Sequence, residues 1–105
     1  MSKTWKSRER QIAKYFNTYR TPLSGGSSRH TRSDTLHKHI FIEQKHRKNH
    51  AVIKLWDQTK VMSDKEKKIP VVTLTQKGRP GFWLLIKDKD LTAVARQREN
   101  AIKQL

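Results

Sequence analysis

Asp34-Thr35-Leu36-His37-Lys38-His39-Ile40-Phe41-Ile42-Glu43-Gln44-Lys45 carries a short β-prone run, Ile40-Phe41-Ile42, with alternation around it. Successive side chains of a strand point to opposite faces. Phe41, Glu43 and Lys45 therefore share one face, and Ile40, Ile42 and Gln44 the other. Glu43 and Lys45 are expected to project side by side. Asp34 stands where the preceding loop runs into this segment.

Working outward, the flanks alternate between helix and strand patterns. Upstream, Trp5, Ile12 and Phe16 recur at helical spacing, which predicts a helix over about Lys3 to Tyr19. Glu9 falls inside that apolar stripe, where an acid costs burial energy unless a basic group pairs with it. Thr21-Pro22-Leu23-Ser24-Gly25-Gly26-Ser27-Ser28-Arg29 reads as a loop. Gly permits a backbone to come close to a phosphate, and Ser can bond to one. Arg20, Arg29 and Arg32 flank this loop.

Downstream of the basic stretch His46-Arg47-Lys48-Asn49-His50, a second helix is predicted over about Ala51 to Ser63. Val52, Leu55, Trp56, Thr59 and Met62 form its apolar side. Asp64 to Lys68 reads as a charged turn. A strand follows over 69–75, with Pro70 tolerated near its start. Lys77 to Gly81 is a turn, and Phe82-Trp83-Leu84-Leu85-Ile86 is a strand apolar on both faces, hence expected to be buried. A last amphipathic helix runs from about Leu91 to Leu105, with Asp90 as its N-cap. There is no internal repeat. The order predicts an α/β fold, a small mixed sheet flanked by helices.

The whole-chain arithmetic narrows the function. The 105 residues carry 24 Lys plus Arg against 9 Asp plus Glu, a formal net charge of +15. Such a charge repels itself in a compact state, so it points to a polyanionic partner, nucleic acid first. One domain spanning 1–105 is expected at this length. Cysteine is absent, which excludes disulfides, thiolate zinc sites and cysteine nucleophiles. No apolar run approaches a membrane span, and Met1 to Lys6 lacks the apolar stretch of a signal peptide. The expectation is a cytoplasmic protein with no membrane partner.

In so basic a chain the acids Glu9, Asp34 and Glu43 stand out. Carboxylates gathered with other oxygen ligands suit Mg²⁺. A lysine beside them can orient a water or stabilise charge developing on a phosphate. The five histidines lie in Lys/Arg-rich sequence and read as an extension of a phosphate-contacting surface. Trp5, Trp56 and Trp83 read as core.

Asp34 followed by Glu43-Gln44-Lys45 after an apolar run resembles the D…E-x-K signature of the PD-(D/E)XK nuclease superfamily. Glu9-Arg10 on a first helix, Arg20 after it and the Ser24–Ser27 loop before the acid make an ordered set. That set is similar to the archaeal-type Holliday junction resolvases and their phage relatives. The likeness is specific over about Arg8 to Arg47; from Ala51 to Ile86 it is only a matching order of elements. Ser33 stands where the superfamily often has Pro, and the Asp34-to-Glu43 segment is short.

The resemblance implies a restriction-endonuclease-like core. It implies a metal, Mg²⁺ or Mn²⁺, held by Glu9, Asp34, Glu43 and the backbone carbonyl of Gln44, with Lys45 as the catalytic lysine. It implies DNA contacts from Arg10, Arg20, Ser24, Gly25, Gly26, Ser27, Arg29, Arg32, His46 and Arg47. The family often adds a second lysine or a glutamine to the site, for which Gln58 and Lys77 are the weak candidates. The activity implied is paired cleavage of branched DNA by a homodimer. The alternatives are a nuclease of the same superfamily acting on other DNA structures and a non-catalytic basic nucleic-acid-binding module, with ribosome-like RNA binding suggested by charge alone.

Overall fold

The computed structural model describes residues 2–21 and 33–104. The chain divides into two compact units, Met1–Lys48 and Asn49–Leu105, taken here in turn.

The first unit opens with helix α1, Ser2–Tyr15, which stops four residues short of its expected end. Asn17 is the cause. It adopts a left-handed φ of 54°. The Asn17 N–H bonds to the Lys14 carbonyl at 3.0 Å and the Thr18 N–H to the Ala13 carbonyl at 2.8 Å. These two bonds form a Schellman closure, and Asn is one of the few residues that enters the left-handed region at small cost.

From residue 33 to 48 the expected strand is replaced by irregular backbone. Among the described residues the one bridge here is the isolated antiparallel pair Arg20↔Thr35. Side chains have taken the N–H groups that a ladder would use. Ser33 Oγ accepts the Ile42 N–H at 2.8 Å and the Thr35 N–H at 3.4 Å. Asp34 Oδ2 accepts the Gln44 N–H. His37 Nδ1 accepts the N–H groups of His39 and Ile40 at 3.0 and 3.1 Å. The alternation holds only from Phe41 on: Ile42 is buried and Gln44 half-buried, while Phe41, Glu43 and Lys45 are exposed, but Ile40, expected on the side of Ile42, is exposed as well. The interior of this unit is small and largely hydroxylic. Among its described residues Ala13 and Ile42 are the buried hydrophobics, beside the buried Thr21, Ser33 and Thr35. Thr21 Oγ1 donates to the Ser33 carbonyl at 2.7 Å and Ser33 Oγ to the Ile42 carbonyl at 2.9 Å, so these buried polar groups are satisfied.

The second unit contains helix α2, Ala51–Lys65, an antiparallel hairpin of β1, Val72–Leu74, with β2, Trp83–Leu85, and helix α3, Leu91–Lys103. The strands pair Val72 with Leu85 and Leu74 with Trp83, and α2 lies against β1. With three helices and a two-stranded antiparallel sheet among the described residues, the chain is a small mixed α/β protein.

Two expectations fail in this unit. The Phe82–Ile86 run is not buried as expected: Phe82 and Leu84 are 61% and 58% exposed and Trp83 45%, with Leu85 and Ile86 half-buried. No third strand pairs with β2 among the described residues, so it is an edge. Trp83 is instead covered on one side by Arg79, whose guanidinium lies 4.8 Å from the ring centre, a cation–π distance. Asp90 stands at the N-terminus of α3 but makes no side-chain cap. A 3₁₀ turn, Asp88–Asp90, leads directly into the helix. It holds Asp90 at φ −97°, ψ −3°, whereas a capping residue sits in extended backbone.

Helix α2 closes like α1. The Lys68 N–H bonds to the Ser63 carbonyl at 2.9 Å and the Lys67 N–H to the Asp64 carbonyl at 3.2 Å, with Lys67 at φ 57°. A lysine in left-handed backbone costs about 1–2 kcal/mol. Lys67→Gly is expected to stabilise the unit by about 0.5–1 kcal/mol after glycine's larger unfolded-state entropy is subtracted. The check is the urea midpoint, which should rise at an unchanged slope.

Candidate nucleic-acid interface and catalytic site

Residues 1–48 carry twelve Lys and Arg and three acids, and the three acids are Glu9, Asp34 and Glu43. Each is held by a different device. Asp34 sits beside Ser33, whose hydroxyl bonds both backbone groups of Ile42, while the Asp34 N–H donates to the Ile42 carbonyl at 2.7 Å. Two residues further on, the Gln44 N–H donates to Asp34 Oδ2 at 2.6 Å. The acid is thereby fastened to the Glu43-Gln44-Lys45 tripeptide through main-chain groups. Ser33 is the residue that makes this seam.

Glu43 and Lys45 project to the same side, with Lys45 Nζ 2.8 Å from Glu43 Oε1. Both are about half exposed, so the pair contributes little to stability. It sets an ammonium and a carboxylate in direct contact on one side of this segment.

Glu9 is placed differently. Its Oε2 accepts from Arg20 Nε at 2.7 Å, with the two side chains only 13% and 20% exposed. The Arg20 guanidinium also lies 5.6 Å from the Trp5 ring centre. Arg20, expected to hold a phosphate, thus also neutralises Glu9 and packs on Trp5. Among the described residues no three His, Asp or Glu side chains gather as a metal-binding group. Asp34 is joined to the 43–45 segment, and Glu9 is joined to Arg20.

The pair in the partly dry interface of α1 makes Arg20 a structural residue as well as a candidate contact. Arg20→Ala leaves the Glu9 carboxylate low in exposure and without its cation. A cost of about 2–3 kcal/mol is expected, the range for a charge-assisted bond whose partner is stranded. Arg10→Ala, at an exposed position, should change stability by less than about 0.5 kcal/mol. Adding Glu9→Gln to Arg20→Ala should recover most of the loss, and a double-mutant cycle by urea unfolding measures this.

Arg10, Lys14 and Arg20 line one hollow of about 350 Å³ at the C-terminal end of α1, together with Ala13, Asn17, Thr18 and Tyr19. Sequence reasoning places Arg10 and Arg20 in such a site; it does not find Lys14, Asn17 or Tyr19. The helix stop at Asn17 turns the chain back and brings Tyr19 alongside the last turn, and the helix-stop tendency of Asn is the signal for it.

His46 and Arg47 are exposed, as a phosphate-contacting role requires. His37 is only partly exposed. Its ring nitrogen caps the turn at His39 and Ile40, and its ring meets those of Phe16 and His39 edge-on at 6.5 and 6.2 Å. Ser24, Gly25, Gly26, Ser27, Arg29 and Arg32 lie outside the described residues.

The donor set, two or three carboxylates with a main-chain carbonyl, is all hard oxygen, which fits Mg²⁺ in kind. Mg²⁺ takes one or two carboxylates directly and keeps several waters. The Gln44 N–H bond holds Asp34 to the segment that carries Glu43, while Glu9 is paired with Arg20. No helix among the described residues is long and apolar enough to cross a membrane. No protein-family model, no curated protein and no solved structure matches the chain.

Proposed function

We propose that the chain is a metal-dependent, structure-specific DNA endonuclease with a PD-(D/E)XK-type site, acting on four-way junctions. The observation that carries the reading is the bond from the Gln44 N–H to Asp34 Oδ2 at 2.6 Å. It brings an acid to an E-x-K tripeptide whose acid and lysine already meet at 2.8 Å. A pure binding module gains nothing from the only three acids of a strongly basic unit at these positions, because carboxylates repel phosphate.

Asp34, Glu43 and the Gln44 carbonyl would hold a Mg²⁺ or Mn²⁺ ion, with Glu9 bonding its waters or entering once Arg20 turns to a phosphate. Bound there, the ion would supply charge neutralisation on the scissile phosphate and a more acidic water. Lys45 Nζ would orient that water or meet the charge developing on the phosphate oxygens. Arg10, Arg20, His46, Arg47 and the Ser24–Ser27 loop with Arg29 and Arg32 would position the strand without reading its sequence. Paired cuts across a junction need two such sites, so the working form is a homodimer.

The test is cleavage of a four-way junction against a linear duplex of the same arm sequences, with Mg²⁺ and with EDTA. Mg²⁺-dependent cutting of the junction in preference to the duplex is expected. Equal cutting of both would leave a nuclease without junction specificity. Tight binding of both with no cutting would favour the non-catalytic module.

A further inference from the structure

We propose that the hollow at the end of α1 is a subsite for one unpaired nucleotide, with its phosphate on Arg10 and Lys14 and its base on the Tyr19 ring. This rests on the nucleic-acid reading above and names a feature of the substrate that the D…E-x-K site does not require.

Three observations carry it. The hollow is cationic. Arg10 and Lys14 are exposed, line it together, and neither pairs with a carboxylate among the described residues. A phosphate answers that charge. Tyr19, on the same lining, is 79% exposed although it is one of two tyrosines in the chain.

The backbone presenting this ring is fixed. The Tyr19 carbonyl accepts the Leu36 N–H at 2.9 Å and the next residue but one, Thr21, donates its N–H to the Asp34 carbonyl at 3.0 Å. Before it, the left-handed Asn17 locks the turn. An aromatic ring held outward on an ordered backbone offers a stacking platform at little entropic cost.

Size and chemistry then choose the ligand. About 350 Å³ lies at the small end of the roughly 300–1,000 Å³ typical of ligand sites. A duplex does not offer a base face to a tyrosine, whereas an unstacked base does. The lining also includes Asn17 and Thr18, residue types whose side chains can bond a base edge. Branch points, bulges and ends supply such a nucleotide. The carbonyl end of α1 disfavours a bare anion, so a phosphate needs the two cations, and a lone inorganic phosphate is a poorer ligand than a nucleotide.

The experiment compares two duplexes that differ by one unpaired 2-aminopurine nucleotide. Binding is followed by anisotropy, and stacking by quenching of the 2-aminopurine. The parent protein is expected to bind the bulged duplex at least about 5-fold more tightly, the low end of a base-stacking contribution, and to quench its fluorescence. Tyr19→Ala should lose both effects and Tyr19→Trp should keep them. Lys14→Ala should weaken both duplexes by the same factor, since a phosphate contact carries no base information. Retention of preference and quenching by Tyr19→Ala overturns the subsite. Equal parent binding to both duplexes also overturns it and leaves the nuclease reading standing. If the parent binds neither duplex at low salt, the nucleic-acid reading itself fails.

Discussion

Asp34→Asn and Glu43→Gln are expected to bind a four-way junction at least as tightly as the parent and to cut it about 10²- to 10³-fold more slowly, or worse. The side-chain amide oxygen introduced by Asp34→Asn can still accept the Gln44 N–H that Asp34 Oδ2 accepts now, so the seam between this position and the tripeptide is kept. What is lost is a negative charge. In the free protein that charge repels phosphate, so its removal does not weaken binding. On the proposed mechanism it would help hold an ion that offsets charge at the phosphate, and removing one preorganised electrostatic element typically costs about 10²–10³ in rate. Glu43→Gln also leaves Lys45 without the carboxylate that it meets at 2.8 Å. Gel-shift affinity in Ca²⁺ and single-turnover cleavage in Mg²⁺, on one junction, separate the two effects. A parallel fall in affinity and rate would make the acids structural.

Affinity for DNA is expected to fall by about 10³–10⁵ between 50 and 200 mM salt, the loss that accompanies roughly 6–10 phosphate contacts. The net charge of +15 motivates the magnitude. The distribution sharpens it, because Arg10, Lys14, His46 and Arg47 are exposed. Arg20 is held by Glu9 at 2.7 Å, and its recruitment to a phosphate must break that pair. Arg10→Ala should therefore lower the slope of log affinity against log salt by about one contact's worth, and Lys14→Ala likewise. A nearly flat plot for the parent would remove nucleic acid as the partner.

How far the residues announce this arrangement differs from element to element. The helical stripes of α1, α2 and α3 are plain, because apolar spacing at three and four residues is a long-range pattern. So is the shared side of Glu43 and Lys45, which needs only alternation. The end of α1 is obscured because Phe16 and Tyr19 carry the apolar pattern past Asn17, the left-handed stop. The region after Asp34 reads as a strand because Ile40-Phe41-Ile42 is β-prone. Three short side chains there, Ser33, Asp34 and His37, take backbone N–H groups within ten residues of themselves, and local competition of that kind leaves no periodic trace. Trp83 and its neighbours look like core by composition alone. Their exposure depends on how many strands the sheet holds, a tertiary fact.

The pairing of Glu9 with Arg20 is half legible. An acid in the apolar stripe of a helix demands a basic partner, but eleven residues and a chain reversal separate the two, so no local rule selects Arg20 over the other bases. The chemistry of the seam at Asp34 is legible only as a motif, and the role of Ser33 in closing it is not.

The most direct test of the account sets the parent protein beside Asp34→Asn, expressed and purified identically so that any contaminating nuclease is common to both. Each is incubated with one four-way junction in Mg²⁺ and in EDTA, and products are resolved on a denaturing gel. The account predicts junction cleavage by the parent in Mg²⁺ alone, and cleavage by Asp34→Asn slower by at least about 10²-fold. Equal rates for the two proteins, or a junction left intact by a parent that binds it, would contradict it.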